Sequence, residues 1–272
     1  MTTSLPAAVL WDMDGTLVDT EPYWMSAETQ LVTEHGGTWT REQALQLVGL
    51  ALDESARMFQ AAGVRMGVTA IVDRLTDDVL AGLARDGVPF RPGARELLAS
   101  LRDAGVKTAL VTMSMGRMAR AVADLIDFPA FDVIVAGDEV TRPKPYPDPY
   151  LQACQALGVD AADAVAFEDS PNGLRAAVAS GAVTVGVPHM VSLTGAGAHA
   201  LWPSLHGRDA DDVAAVFGAH RGAGDGVAGP RGEGRGAPGG SAADDPVTGG
   251  LTGDPVATRP GDPVATQPGA HA

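Results

Sequence analysis

Ala7-Ala-Val-Leu-Trp-Asp12-Met-Asp-Gly-Thr16 runs straight from an apolar segment into two carboxylates with a single residue between them. An unbroken apolar run of this length reads as a strand buried on both faces, as in a parallel sheet. Asp12 and Asp14 at its end repel each other, and the interior of such a sheet offers little water to separate them. A divalent cation, or a proton shared during chemistry, would relieve that cost. The segment therefore predicts a reaction site at the carboxyl end of a strand.

The pattern repeats outward from this strand. Short apolar runs recur at Val9 to Trp11, Thr108 to Val111, Val133 to Ala136, Ala164 to Phe167 and Val183 to Val187. Helical spacing fills the gaps, at Ala94 to Ala104, Arg117 to Ile126, Pro149 to Leu157 and Pro171 to Ser180. Pro and Gly punctuate these segments at positions that start and stop helices. Strand and helix in alternation predict an α/β fold with a doubly wound parallel-sheet core. Sites in such sheets gather at the carboxyl ends of the strands. Residues 21–88 break the alternation, with helical periodicity and no good strand. They are expected to form a small helical domain inserted after the first strand, placed to act as a lid. The expected division is a core of residues 1–20 and 89–220, a helical cap of residues 21–88, and a tail of residues 221–272. The tail is rich in Gly and Pro and carries a tandem Gly-Asp-Pro-Val-Ala-Thr repeat from Gly253. Its composition cannot offset its ordering entropy, so it is expected to be disordered.

Composition sets the outer bounds. The chain has 272 residues, of which 45% are hydrophobic and only 5% aromatic, so the core must be built largely from Ala, Val and Leu. A net charge of -15 argues against a nucleic-acid partner. Cys154 is the sole cysteine, so no intrachain disulfide can form. No apolar stretch approaches the roughly 18 to 20 residues of a spanning helix, and the N-terminus lacks the pattern of a secretory signal. A cytoplasmic protein with no membrane partner is expected. The sequence sets no oligomeric state.

Three further strand ends carry polar groups. Leu110-Val111-Thr112 ends in a hydroxyl that, with the following backbone N–H groups, suits a phosphate oxygen, although a Thr ending a strand is ordinary. Arg142-Pro143-Lys144-Pro145 holds Lys144 between two prolines, which fixes either a positive charge or a rigid surface loop. Phe167-Glu168-Asp169-Ser170 places two carboxylates after an apolar run, with Ser170 as N-cap and Pro171 opening a helix. Carboxylates, one Lys and one Thr at the ends of one sheet make a cation site beside an anion site. Hard oxygen ligands without His or Cys indicate Mg²⁺. The anion expected beside it is a phosphoryl group.

These motifs, in this order, resemble those of the haloacid dehalogenase-type phosphohydrolases over roughly residues 7–190. The resemblance extends to Asp19-Thr-Glu-Pro22 and Glu168-Asp-Ser-Pro-Asn-Gly173. It implies that Asp12 is a nucleophile forming an aspartyl-phosphate, and that Asp14 moves protons for the leaving alcohol and then for water. It further implies that Thr112 and the Met113 amide hold the phosphoryl group and that Lys144 neutralises charge. Asp12, the Asp14 carbonyl and Asp169 would ligate Mg²⁺, with Glu168 a ligand or a partner of one. Keeping both Asp12 and Asp14 sets the chain apart from the metal-free dehalogenase branch.

The implied substrate is a small phosphorylated metabolite, a sugar or polyol phosphate. The alternative is a β-phosphoglucomutase-like sugar phosphomutase. Mutases of that kind carry a His twelve residues after the nucleophile, an Arg in the next cap loop and a Lys beyond the second motif. This chain has Trp24, Val48-Gly-Leu-Ala-Leu52 and Met115 at those places, which favours a phosphatase. A non-catalytic phosphate-binding protein is the third reading. Trp24 is read as facing the cap interface or as cap core, Glu21 as a site group or a first-turn acid, and Arg117 as starting its helix on a solvated face rather than reaching a substrate. His189, His199 and His206 are expected at the surface or in loops, and Cys154 in the core.

Overall fold

The computed structural model describes residues 4–221. The expected disorder of residues 221–272 falls, beyond Arg221, outside the described residues. Six parallel strands form one sheet in the order β3-β2-β1-β4-β5-β6. They are β1 (Ala8–Trp11), β2 (Lys107–Val111), β3 (Val133–Val135), β4 (Ala164–Glu168), β5 (Val183–Gly186) and β6 (Ala200–Leu201). β1 lies at the centre, with Trp11 in register with Leu110 on one side and Phe167 on the other. This register brings the carboxyl ends of β1, β2 and β4 side by side.

Successive side chains of a strand point to opposite faces, and two apolar layers follow from that alternation. Val9, Trp11, Leu110, Val165 and Phe167 face one layer, while Ala8, Leu10, Ala109, Val111 and Ala166 face the other. The second layer is covered by α7 (Asp148–Leu157) and α8 (Pro171–Ser180) through Tyr150, Ala153, Cys154, Ala176 and Ala177. Small residues on both sides let these helices approach closely. α5 (Ala94–Asp103), α6 (Gly116–Asp124) and α9 (Ala210–His220) cover the first layer through residues such as Leu97, Met118 and Phe217. Trp11, Phe167 and Trp202 stack in a line, with ring centroids 4.8 and 5.5 Å apart. α8 obeys its sequence signals: the Ser170 hydroxyl accepts the Gly173 N–H, Pro171 opens the first turn, and Gly181 closes the helix at φ 93.

Between β1 and β2 the chain forms α1 (Glu21–Glu34), α2 (Arg41–Leu45), α3 (Leu52–Ala61) and α4 (Val68–Asp86), and no strand. The two crossings to this helical segment run together. Asp19 donates its N–H to the Pro89 carbonyl at 2.7 Å, and Arg91 donates to Leu17 at 2.9 Å.

β6 and α9 were not anticipated; β6 has two residues, too few for a readable period, and α9 lies among Ala and Asp near the Gly-rich tail. His189 lies in a loop, as expected, and is half-buried there: Arg91 Nη1 donates to its Nδ1 at 2.6 Å, and its Nε2 lies 2.9 Å from Asp19 Oδ1. A guanidinium can only donate, so Nδ1 accepts and Nε2 carries the proton. The imidazole thus ties both crossings to the loop after β5. Arg117 lies exposed at the start of α6, as expected, and from there pairs with Asp77 of α4 and donates to the Asp73 carbonyl at 2.9 Å, which pins α6 to the helical segment.

Candidate active site

The ends of β1, β2 and β4, with the loop carrying Lys144, bring all seven sequence-predicted residues around one cavity of about 90 Å³ or against its walls. Lys144 is the hub. Its Nζ donates to Asp12 Oδ1 at 2.7 Å, to Glu168 Oε1 at 2.6 Å and to the Val111 carbonyl at 3.0 Å. Its backbone N–H reaches the Met113 sulfur at 3.3 Å, so the loop is fixed at both ends of the residue. Burial alone would lower the Lys144 pKa, but the charges of Asp12 and Glu168 outweigh it and keep the ammonium protonated.

Glu168 is fully buried and heavily engaged. Besides Lys144 it accepts the Tyr150 hydroxyl at 2.5 Å and the Ser170 hydroxyl at 3.3 Å. This geometry makes Glu168 foremost the anchor of Lys144. Burial, followed by the Glu168 charge, pushes the Asp12 carboxyl up to about 7 against the pull of Lys144. Burial, followed by Asp12 and Glu168, also drives Asp169 well above the usual carboxylate range. Asp169 Oδ2 is buried with no hydrogen-bond partner among the described residues.

An orphaned carboxylate oxygen of this kind is costly. Oxygens of Asp12, Glu168 and Asp169 lie within 4.8 Å of one another. All the donors are hard, two of the acids are forced toward protonation, and one oxygen lacks a partner. This set fits a divalent cation of the Mg²⁺ or Ca²⁺ type, whose charge would oppose both pKa rises. Gly15 brings the first loop up against this cluster. Its φ is +83, and a Cβ there would fall 2.1 Å from Asp169 Oδ2.

Asp14 faces the other way. Its Oδ1 accepts Thr20 Oγ1 at 2.5 Å and Trp24 Nε1 at 3.1 Å; its Oδ2 accepts Ser114 Oγ at 2.7 Å and Thr112 Oγ1 at 3.2 Å. Three of the four partners are hydroxyls, which can donate to the carboxylate or accept from the acid. The site can therefore satisfy Asp14 in either protonation state. The Asp14 carboxylate stands apart from the Asp12, Glu168 and Asp169 cluster. Thr112, expected to face a phosphoryl group, spends its hydroxyl on Asp14 and on the Ser114 N–H at 3.0 Å. The Met113 N–H meets no protein acceptor among the described residues.

Thr20, Ser114 and Tyr150 escaped the sequence reading. Thr20 lies inside Asp19-Thr-Glu-Pro22 and Ser114 two places after Thr112, so both had positional signals. Tyr150 sits on α7, where a buried tyrosine reads as core. Trp24, left open between interface and core, is both: it is buried and its indole N–H reaches the site.

Residues 6–181 match the family of haloacid dehalogenase-like hydrolases. Hexitol phosphatase B of Escherichia coli (strain K12) is 31% identical over 185 residues, which are 66% of this chain and 83% of that protein. The phosphorylated carbohydrates phosphatase of Thermotoga maritima is 31% identical over 191 residues, covering 68% and 87%. Among solved structures, a CbbY mutant from Rhodobacter sphaeroides in complex with xylulose-(1,5)bisphosphate is similar with a TM-score of 0.68 and 30% identity, over 75% of this chain and 96% of that one.

Proposed function

The chain belongs to the haloacid dehalogenase-like hydrolases, and on that premise we propose that it is a Mg²⁺-dependent phosphatase of sugar or polyol phosphates, acting through an aspartyl-phosphate on Asp12. The observation that carries this reading is the Lys144 hub. It holds Asp12 Oδ1 at 2.7 Å beside an Asp169 oxygen that lacks a partner. A carboxylate meets a phosphate dianion only where positive charge screens both. Curated relatives named as hexitol and carbohydrate phosphatases support the substrate class.

Asp12, Asp169 and Glu168, with the Asp14 carbonyl, would hold the cation. When bound it would supply charge neutralisation at the phosphoryl oxygens and at Asp12. Lys144 and the free Met113 N–H orient the phosphoryl group. Asp12 attacks phosphorus as the ester P–O bond breaks, and Asp14 gives its proton to the departing alkoxide. A water molecule then attacks the aspartyl-phosphate while Asp14 takes its proton, which frees phosphate and restores Asp12. Thr20, Ser114 and Thr112 can reverse their hydrogen bonds as Asp14 changes state. The helices of residues 21–86 act as a cap that excludes bulk water.

Trp24 also favours hydrolysis over transfer to a second sugar hydroxyl. It takes the place of the basic group expected of a mutase and holds Asp14 instead. The test is phosphate release from a panel of sugar and polyol phosphates with and without Mg²⁺, by the parent and by Asp12→Asn. Metal-dependent release lost in the variant is the expected result. Isomerised hexose phosphate without free phosphate, or an active Asp12→Asn, would overturn the reading.

A further inference from the structure

Beyond the phosphoryl end, the cavity runs along α1 toward Glu28. This side chain is 6% exposed, lines the cavity and lies two helical turns from Glu21, which lines it as well. Trp39 Nε1 donates to Glu28 Oε2 at 3.1 Å. Among the described residues no donor reaches Oε1. Leu47, Phe59 and Leu75 provide an apolar wall opposite. Among the described residues Lys144 is the one basic side chain that lines the cavity, and Asp12 and Glu168 already hold it.

We infer that this end of the site receives an uncharged polyhydroxylated leaving group, rejects one bearing a second anionic group, and uses Glu28 as a substrate-positioning hydrogen-bond partner. The inference rests on the phosphatase reading and narrows its substrate class. A hydroxyl meets the free oxygen of Glu28, whereas an apolar group would leave that one oxygen without a partner, Trp39 holding the other. The carbon skeleton of a polyol packs on the apolar wall. A carboxylate or second phosphate would find acids and no available cation, whatever the protonation of those acids. The pocket is already hostile to negative charge. Burial, offset in part by Trp39 and reinforced by Glu21, pushes Glu28 up to about 8, and burial with Asp14 and Asp19 pushes Glu21 up to about 7.

A matched pair of probes tests this. Sorbitol 6-phosphate and 6-phosphogluconate differ at one end, where a hydroxymethyl replaces a carboxylate. With the full chain and Mg²⁺, kcat/KM should favour sorbitol 6-phosphate by at least about tenfold; a smaller ratio overturns the inference. Glu28→Leu should raise KM for sorbitol 6-phosphate about tenfold, and Glu28→Gln, which keeps an acceptor oxygen, should restore it to within about threefold. An unchanged KM in Glu28→Leu would remove Glu28 from the site. Calorimetric binding of the same pair to Asp12→Asn separates the two readings. A retained preference supports the inference even if the parent releases no phosphate, and equal binding defeats it even if hydrolysis is efficient.

Discussion

Lys144 Nζ lies 2.6 Å from Glu168 Oε1, with both side chains sealed from water. Removing one partner of a buried pair strands the other charge. Lys144→Ala is therefore expected to destabilise the fold by about 3–5 kcal/mol, although Tyr150 and Ser170 still bond Glu168. It should also abolish phosphate release. Urea unfolding without metal measures the first effect. A loss below about 1 kcal/mol would mean that the charges are not coupled as the distances indicate.

Asp169 Oδ2 has no hydrogen-bond partner among the described residues and lies in a cluster of acids, so its ionised form opposes folding until a cation arrives. Mg²⁺ at 100 times its dissociation constant should stabilise the parent by about 2.7 kcal/mol. Asp169→Asn should melt higher than the parent in chelator, fail to respond to Mg²⁺ and release no phosphate. Thermal melts with EDTA and with Mg²⁺ check this. An equal Mg²⁺ response in both proteins would place the cation elsewhere.

Trp24 is the sole partner of Asp14 that can only donate. Trp24→Phe keeps an aromatic ring in the cap but leaves Asp14 one donor short. Proton transfer by a positioned side chain is worth about 10²–10⁴-fold, and partial loss of its alignment should cost about tenfold in kcat with a smaller change in KM. Steady-state kinetics on one hexitol phosphate would show this. A change confined to KM would instead assign Trp24 to substrate contact.

The order β-α along the chain was legible because each of the first five strands is a short apolar run set off by segments of helical spacing, and the site because its residues stand at strand ends. Packing decided the rest. Tyr150 reaches Glu168 from a helix whose pattern reports only that it is buried. Arg117 is exposed and His189 lies in a loop, as their sequence indicates, but their partners are distant in the chain, Asp77 for one and Asp19 and Arg91 for the other. Long-range pairing of this kind has no local period to read. Thr112 shows the same limit: its place at the site was visible, but not its bond to Asp14.

Gly49 sits where the helical segment touches the loop after β4. Its φ is +76, a Cβ there would fall 2.6 Å from Ser170, and its carbonyl accepts Asn172 Nδ2 at 3.2 Å. Gly49→Ala is strained by its backbone and by this contact, at about 1–2 kcal/mol. Separation of the segment from the core would relieve the clash, so kcat/KM should fall more than stability does. Paired melts and kinetics distinguish this from a purely structural defect, in which activity would follow the folded fraction.

Glu28 gives a pH dependence of defined sign. Its folded pKa of about 8 is above the ordinary value of 4.5, so the stability tied to its neutral form is complete below pH 4.5 and is lost as pH rises through 8. Glu28→Gln keeps the shape without the charge. Its melting temperature should equal that of the parent near pH 4.5 and exceed it increasingly up to about pH 8.5, by a few degrees on the usual scale of one buried ionisation. Asp12 and Asp169 titrate in both proteins and cancel from the difference. A constant difference from pH 5 to 8.5 would mean that Glu28 ionises in the folded protein as it does in water, and that the cap is wetter around Trp39 than its burial indicates.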